Sequence, residues 1–385
     1  MKRRERCRSN AAPLNTRSAP PALHPGLRWQ GRLGRSHNCK MDGSGSMNER
    51  IPQSQPFATP TAERGTISAG TSASGSEIRI PYLVKRGRVD GPCLWVNAAV
   101  HGDEINGVFA AQRFFDRLDP ADMTGTVVVT PVANVLAFGE RRKTTLIDSI
   151  DMDQSFPGRQ NGFATERAAA ALFDRFGKSA DVVINIHTLG APFDAAPYAV
   201  YKVHPGARVS ETELLAHIAC FEPTIACRMP VANAAGELPG NIAGALDYQS
   251  LSQGAIAFMV ELGGGGRLEE DHVEHGVAGL MRLAGKIGIL AAPADPISHR
   301  IRQVTTRAHR LAKAGGLFEP KVLPGTAVSA GASIGSVRNL FGDVIEEIVV
   351  EADSWVIAVR RDPVVHSGDR VAFLATEWSD VDVAG

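Results

Sequence analysis

The stretch CLWVNAAVHGDEINGVFAAQRFFDRL, Cys93 to Leu118, changes period half-way along. Cys93 to Val100 is an almost unbroken apolar run of strand length, the pattern of a strand covered on both faces. From Glu104 onward the apolar residues recur at helical spacing. A buried strand that passes through a short polar turn into a helix is the repeating unit of an α/β sheet. The turn carries His101 and Glu104, and two readings of that pair stand open. They are either metal ligands converging on one cation, or a surface histidine beside a carboxylate favoured by the dipole of the helix start.

The pattern repeats on either side. Glu77 to Gly87 alternates like a strand, and Thr126–Asn134, Asp181–His187 and Ala255–Leu262 read as buried strands. Thr165–Gly177, Glu211–Phe221 and Glu269–Leu290 read as helices. Strands alternating with helices imply a mixed α/β sheet with helices on both faces, and ligands of such sheets bind at the carboxyl ends of strands. After Ala291–Pro296 the character changes to short Val/Ile runs broken by Gly, Pro and Asp, from about 310 to 376, a small all-β module. Residues 1–63 are rich in Arg, Pro, Ser and Gly without sustained periodicity, so they read as a disordered extension. Translation from Met41 or Met47 or a transit peptide would also account for them. The expected division is therefore 1–63 extension, 64–292 catalytic domain and 293–385 linker plus β-module.

Composition narrows the function. The 385 residues balance 41 Lys+Arg against 41 Asp+Glu, so nothing favours nucleic acid or an anionic membrane as partner. No apolar run approaches the roughly 20 residues that span a bilayer. Cys7, Cys39, Cys93, Cys220 and Cys227 are odd in number and lack C-x-x-C spacing. That suggests reduced thiols in a cytoplasmic compartment and argues against a cysteine zinc site.

Three strand ends carry polar residues of ligand or acid–base type: His101 after Val100, His187 closing DVVINI, and Glu261 closing AIAFMV. Two imidazoles and one carboxylate with an open fourth position form a catalytic zinc set. His101, Glu104 and His187 would supply it, leaving Glu261 as the general base that activates water and later protonates the leaving amine. Each residue also has an ordinary reading: a capped helix start, a satisfied strand-end histidine, a solvated loop carboxylate. His272 and His275 lie among Glu269, Glu270, Asp271 and Glu274, and read as a solvated helix face.

AAVHGDEINGV, FGERRKTTLIDSIDMDQSFPG, NIHT and FMVELGGGG, in this order, resemble the succinylglutamate desuccinylase/aspartoacylase family, a deacylase branch related to the zinc carboxypeptidases. The resemblance spans about residues 75 to 292. It implies one zinc per chain held by His101, Glu104 and His187, Glu261 as catalytic carboxylate, and hydrolysis of an N-acyl amide on an amino acid or related amine. It also implies a cation that stabilises the developing oxyanion. The arginine that many members use falls at Lys143, with Arg141 and Arg142 adjacent.

This chain departs from the family pattern at informative places. The family commonly shows D-L-N-R-x-F-P-G, whose Asn and Arg grip a substrate carboxylate. Here DMDQSFPG puts Asp153 at the Asn position and Gln154 at the Arg position. Asp153 would repel a carboxylate and suit an ammonium, as in an N-acylated diamine. Alternatively Arg141, Arg142 or Lys143 holds the carboxylate, or Asp153 and Gln154 are turn residues. Asn185 stands where many members have Asp. The C-terminal module resembles the barrel-sandwich fold of biotinyl and lipoyl carriers, but the tip Glu351–Ile357 has no Lys. The expectation is no swinging cofactor and a structural or oligomer-building role. Rival readings are a metallocarboxypeptidase, disfavoured by the missing carboxylate grip, and a non-catalytic zinc-binding protein.

Overall fold

A computed structural model describes residues 60–231, 241–291 and 300–383, all within one compact unit. Most of the extension therefore lies outside the described residues, as do Cys7 and Cys39. The expected boundary at residue 63 falls inside the first strand, β1 (Thr61–Thr71).

The opening stretch folds as its period change requires. β3 (Val89–Ala98) leads into α1 (Ile105–Arg117). The other buried runs become β4 (Thr124–Thr130), β5 (Val182–Leu189) and β9 (Ile256–Gly264). The alternating run becomes β2 (Glu77–Arg86). These strands form the centre of a mixed sheet in the order β1-β2-β4-β3-β5-β9, of which β4, β3, β5 and β9 run parallel. The sheet continues through β7 (Tyr198–Val203), β8 (Ala226–Pro230) and β10 (Arg300–Leu311), with β7 antiparallel to β9.

Side chains alternate across these strands, so register decides which residues share a face. One face presents Leu94, Val96, Ile184, Ile186, Phe258 and Val260 to the main apolar cluster. There α1 packs closely enough that a Cβ on Gly107 would lie 2.9 Å from Ile186 Cγ2. α4 (Glu270–Lys286) packs beside α1 and against β9. The opposite face carries polar residues in matched rows: Asn97 is paired with Asn185, and His187 with Glu261, which pairs on with Tyr198. A short helix that the periodicity did not signal, α3 (Leu246–Ser252), contacts β5, β9 and β7. Asp247 in its first turn meets Lys202 on β7 at 2.9 Å.

The C-terminal part is all-β as expected, and it extends the large sheet as well as building a second one. β10 continues into β17 (Arg370–Asp382), β15 (Ser354–Arg360) and β12 (Ala327–Val328), and β15 also pairs with β6 (Phe193–Ala195). The second sheet has four strands: β14 (Val344–Val349), β13 (Ser333–Arg338), β11 (Gly316–Pro320) and β16 (Val364–Val365). Phe318, Ile334, Val337, Ile348, Val356 and Leu374 fill the space between the two sheets. No described helix is long and apolar enough to cross a membrane.

Candidate active site

Local backbone geometry delivers His101 and Glu104 to the carboxyl end of β3. The chain leaves the sheet through Ala99, which takes a left-handed φ of 47°. Such backbone is costly for a residue with a side chain and is held by its surroundings; here Asn134 N–H donates to Ala99 O at 3.0 Å. Gly102 must be glycine, because a Cβ there would lie 2.0 Å from the carbonyl carbon of Ala137 in α2 (Val135–Glu140).

Glu104 occupies the N-cap position of α1, yet its side chain makes no capping hydrogen bond. Its carboxylate faces inward instead. Oε1 lies 2.7 Å from His101 Nδ1, and Oε2 lies 3.0 Å from His187 Nδ1 and accepts the Thr188 N–H at 3.0 Å. His101 is thus buried rather than on the surface, and the Glu104 carboxylate is engaged by the two imidazoles rather than by the helix cap. One donor atom from each of His101, Glu104 and His187 lies within 4.8 Å of the others, and all three residues are buried.

Both imidazoles turn Nδ1 towards Glu104 and Nε2 away from it. His101 Nε2 meets Asp151 Oδ1 at 3.0 Å. His187 Nε2 faces the Asn185 amide at 2.8 Å, with Asp153 Oδ2 at 3.8 Å. Burial works against a charged His101, but Glu104 and Asp151 hold it well above the usual histidine range. Burial likewise opposes ionisation of Glu104, and His101 and His187 outweigh it, keeping the carboxyl at about 2. An anionic oxygen between two nitrogens whose far sides are tied to polar groups is the donor set that a divalent ion requires. The residues present fit zinc.

Glu261 closes β9 as the register partner of His187. It is 7% exposed, and its Oε2 has no hydrogen-bond partner among the described residues. Burial pushes its carboxyl up to about 7, against the pull of His187. The other expected residues divide. Lys143 Nζ reaches the cluster through Asp151 Oδ2 at 2.8 Å. Arg141 and Arg142 are exposed and contribute backbone: Arg141 ends α2 in left-handed conformation, and Arg142 O accepts from Gly102 N at 2.9 Å. Asp153 is buried and accepts from Asn185 Nδ2 at 2.7 Å and from Leu246 N at 3.3 Å. Gln154 spans from Asp151 Oδ2 (3.3 Å) to the Asn241 N–H (2.7 Å).

The family model for the succinylglutamate desuccinylase/aspartoacylase catalytic domain matches residues 90–287. The chain belongs to the succinylglutamate desuccinylase/aspartoacylase family. It is 29% identical over 315 residues to an N-alpha-acetyl-L-2,4-diaminobutyric acid deacetylase of Halomonas elongata, covering 80% of this chain and 89% of that protein. Among solved structures it shares its fold with a succinylglutamate desuccinylase from Silicibacter sp. TM1040. That match has a TM-score of 0.71 and 22% identity, over 86% of this chain and all of that one. The product-bound ectoine utilization protein EutE of Ruegeria pomeroyi superposes similarly, with TM-score 0.70 and 22% identity over 84% and 96% of the two chains.

Within that family frame, sequence reasoning passed over Asp151. It is the first acid of DMDQ, and it ties His101 to Lys143. The usable signal was chemical: a ligating histidine needs an acceptor on its other nitrogen. The Lys202–Asp247 pair was also missed, because Lys202 sits in a strand whose surroundings only the fold reveals. His272 and His275 stay outside the cluster, and the solvated-face reading is wrong for His275. That residue is half-buried, its Nε2 has no hydrogen-bond partner among the described residues, and burial lowers its proton affinity.

Proposed function

We propose that this protein hydrolyses the amide bond of a small N-acylated amino acid or related amine, with one zinc held by His101 Nδ1, Glu104 and His187 Nδ1. The observation that carries the reading is the inward turn of Glu104. A buried carboxylate that abandons its helix cap to stand between two imidazole nitrogens is otherwise an expensive arrangement. When bound, the ion would polarise the amide carbonyl and acidify water beside it.

The chain's own residues do the rest. Glu261, its Oε2 without a hydrogen-bond partner among the described residues and its affinity for protons raised towards neutrality, takes a proton from the attacking water and returns it to the leaving amine. Asp151 fixes the ring of His101 and holds the ammonium of Lys143 at the mouth of the site. Lys143, rather than Arg142, would balance charge developing on the carbonyl oxygen, a role supported by its link to His101 through Asp151. Arg141 and Arg142 on the rim would meet the outer end of the substrate. Gln154 can offer that substrate neither charge nor a bidentate grip. The site is open to neutral and cationic amines, and the diaminobutyric acid deacetylase among its relatives makes N-acetylated diamines the first substrates to test. The fold reads as zinc-carboxypeptidase-like with a barrel-sandwich-like module, in a cytoplasmic enzyme.

The test is a screen of zinc-loaded protein against N-acetyl, N-succinyl and N-formyl amines, with and without an α-carboxylate, alongside metal analysis. Hydrolysis of at least one class, and loss of bound zinc in His101→Ala, are expected. Full zinc occupancy in His101→Ala would remove the ligand assignment, and turnover of C-terminal peptides in place of acyl amines would make the protein a carboxypeptidase.

A further inference from the structure

A buried polar thread crosses the sheet beside the His101–Glu104–His187 cluster, and its carboxylate end fixes its direction. Asp153 as a carboxylate can only accept, so Asn185 turns Nδ2 towards Asp153 Oδ1 at 2.7 Å, and the same nitrogen lies 2.8 Å from His187 Nε2. Asn185 Oδ1 then accepts from Asn97 Nδ2 at 3.0 Å, and Asn97 Oδ1 accepts from the Thr130 hydroxyl at 2.6 Å. The indole N–H of Trp95, which can only donate, closes the thread on Thr130 Oγ1 at 3.0 Å. Trp95, Thr130, Asn97 and Asn185 are all fully buried, so a misdirected amide would have no water to correct it.

This polarity constrains His187. An imidazole that gives Nδ1 to a cation carries its proton on Nε2 and needs an acceptor there. The amide nitrogen of Asn185 cannot accept. Asp153 Oδ2, 3.8 Å away, is the carboxylate within a small movement. Asp153 and Asn185, separated by 32 residues in the chain, touch across one hydrogen bond.

We propose that Asp153 and Asn185 are a carboxylate–amide couple that keeps one negative charge beside His187, with acid and amide interchangeable across their single hydrogen bond. Asp153 is then a positioning residue for His187 and does not contact the substrate's amine. The inference rests on the reading of His187 as a zinc ligand.

The experiment compares wild type, Asp153→Asn, Asn185→Asp and the double variant. Zinc affinity is read by competition with a chromophoric chelator, and stability by urea unfolding of the chelated protein. Asp153→Asn should weaken zinc about 10–100-fold, the usual effect of losing a histidine's outer partner. Asn185→Asp sets two buried carboxylates against each other and should be the least stable, or fail to accumulate. The double variant should return to within about threefold of wild-type zinc affinity, since the fixed Nδ2 of Asn97 donates equally well to a carboxylate at 185. Additive losses in the double variant would overturn the proposal. So would an Asp153→Asn protein with wild-type zinc affinity and a raised KM confined to cationic substrates. If wild type binds no zinc, the functional reading fails, while rescue or its absence in chelated-protein stability still decides the couple.

Discussion

Replacing Glu261 by Gln should slow the enzyme and, above neutral pH, stabilise the metal-free protein. Burial raises the Glu261 carboxyl from 4.5 to about 7, so the folded state binds this proton more tightly than the unfolded chain. The resulting stabilisation is complete below about pH 4.5 and is lost as pH rises through about 7. At roughly 1.4 kcal/mol per tenfold change in proton affinity, the ionised group costs the fold about 3 kcal/mol at pH 8. A Gln carries no charge, but its amide meets the orphaned environment of Oε2, at a cost of about 1 kcal/mol. Urea unfolding of chelated protein should therefore find Glu261→Gln more stable by about 2 kcal/mol at pH 8, with the sign reversed at pH 4.5. Turnover of the zinc-loaded variant should fall about 10²–10⁴-fold, the usual worth of a positioned general base. A stability difference independent of pH would refute the burial argument, and unchanged turnover would refute the assignment as base.

Other substitutions probe the framework. Lys202→Met leaves Asp247 without its ion-pair partner; the two side chains are 3% and 0% exposed, so unfolding free energy should fall by about 3–5 kcal/mol. Adding Asp247→Leu should recover most of that loss in the same urea titration. Gly102→Ala forces a methyl group into the Ala137 backbone and should cost about 1–3 kcal/mol or more, together with zinc binding; an unchanged Tm would show that the turn is less constrained than its geometry indicates. A chain ending at residue 291 should aggregate or lose zinc, measured by light scattering and metal analysis, whereas a freely attached appendage would come away without effect.

The catalytic layer was legible because it rests on period and order. Buried parallel strands are continuous apolar runs, and Cys93–Val100, Asp181–His187 and Ala255–Leu262 announce themselves at the strand ends where His101, His187 and Glu261 stand. What stayed hidden depends on partners far away in the chain. Asp153 alone reads as a repulsive charge in a substrate loop, and its meaning changes once Asn185 is found 2.7 Å away. Gln154 reads as a weakened grip, but its carboxamide is engaged by Asp151 and Asn241. Strand β7, with Tyr198 and Lys202, was passed over because its polar residues face a buried row and break the apolar signature.

The division at residue 292 marks a change of composition more than a physical seam. Val304, Ile357, Ala358 and Ala375 from the C-terminal part share one apolar cluster with Tyr198, Val200, Cys227 and Met259 from the catalytic strands. β10 pairs with β8 and β15 with β6, so backbone hydrogen bonds as well as side chains cross the boundary. Tyr198 in that cluster is the register partner of Glu261. The low-dielectric surroundings that raise the proton affinity of Glu261 are thus built partly by the C-terminal strands. The C-terminal strands supply apolar neighbours to Tyr198, the register partner of Glu261. On this view the β-module belongs to the active site's electrostatics, and changes at Ile357 or Ala375 should register first in the pH dependence of turnover.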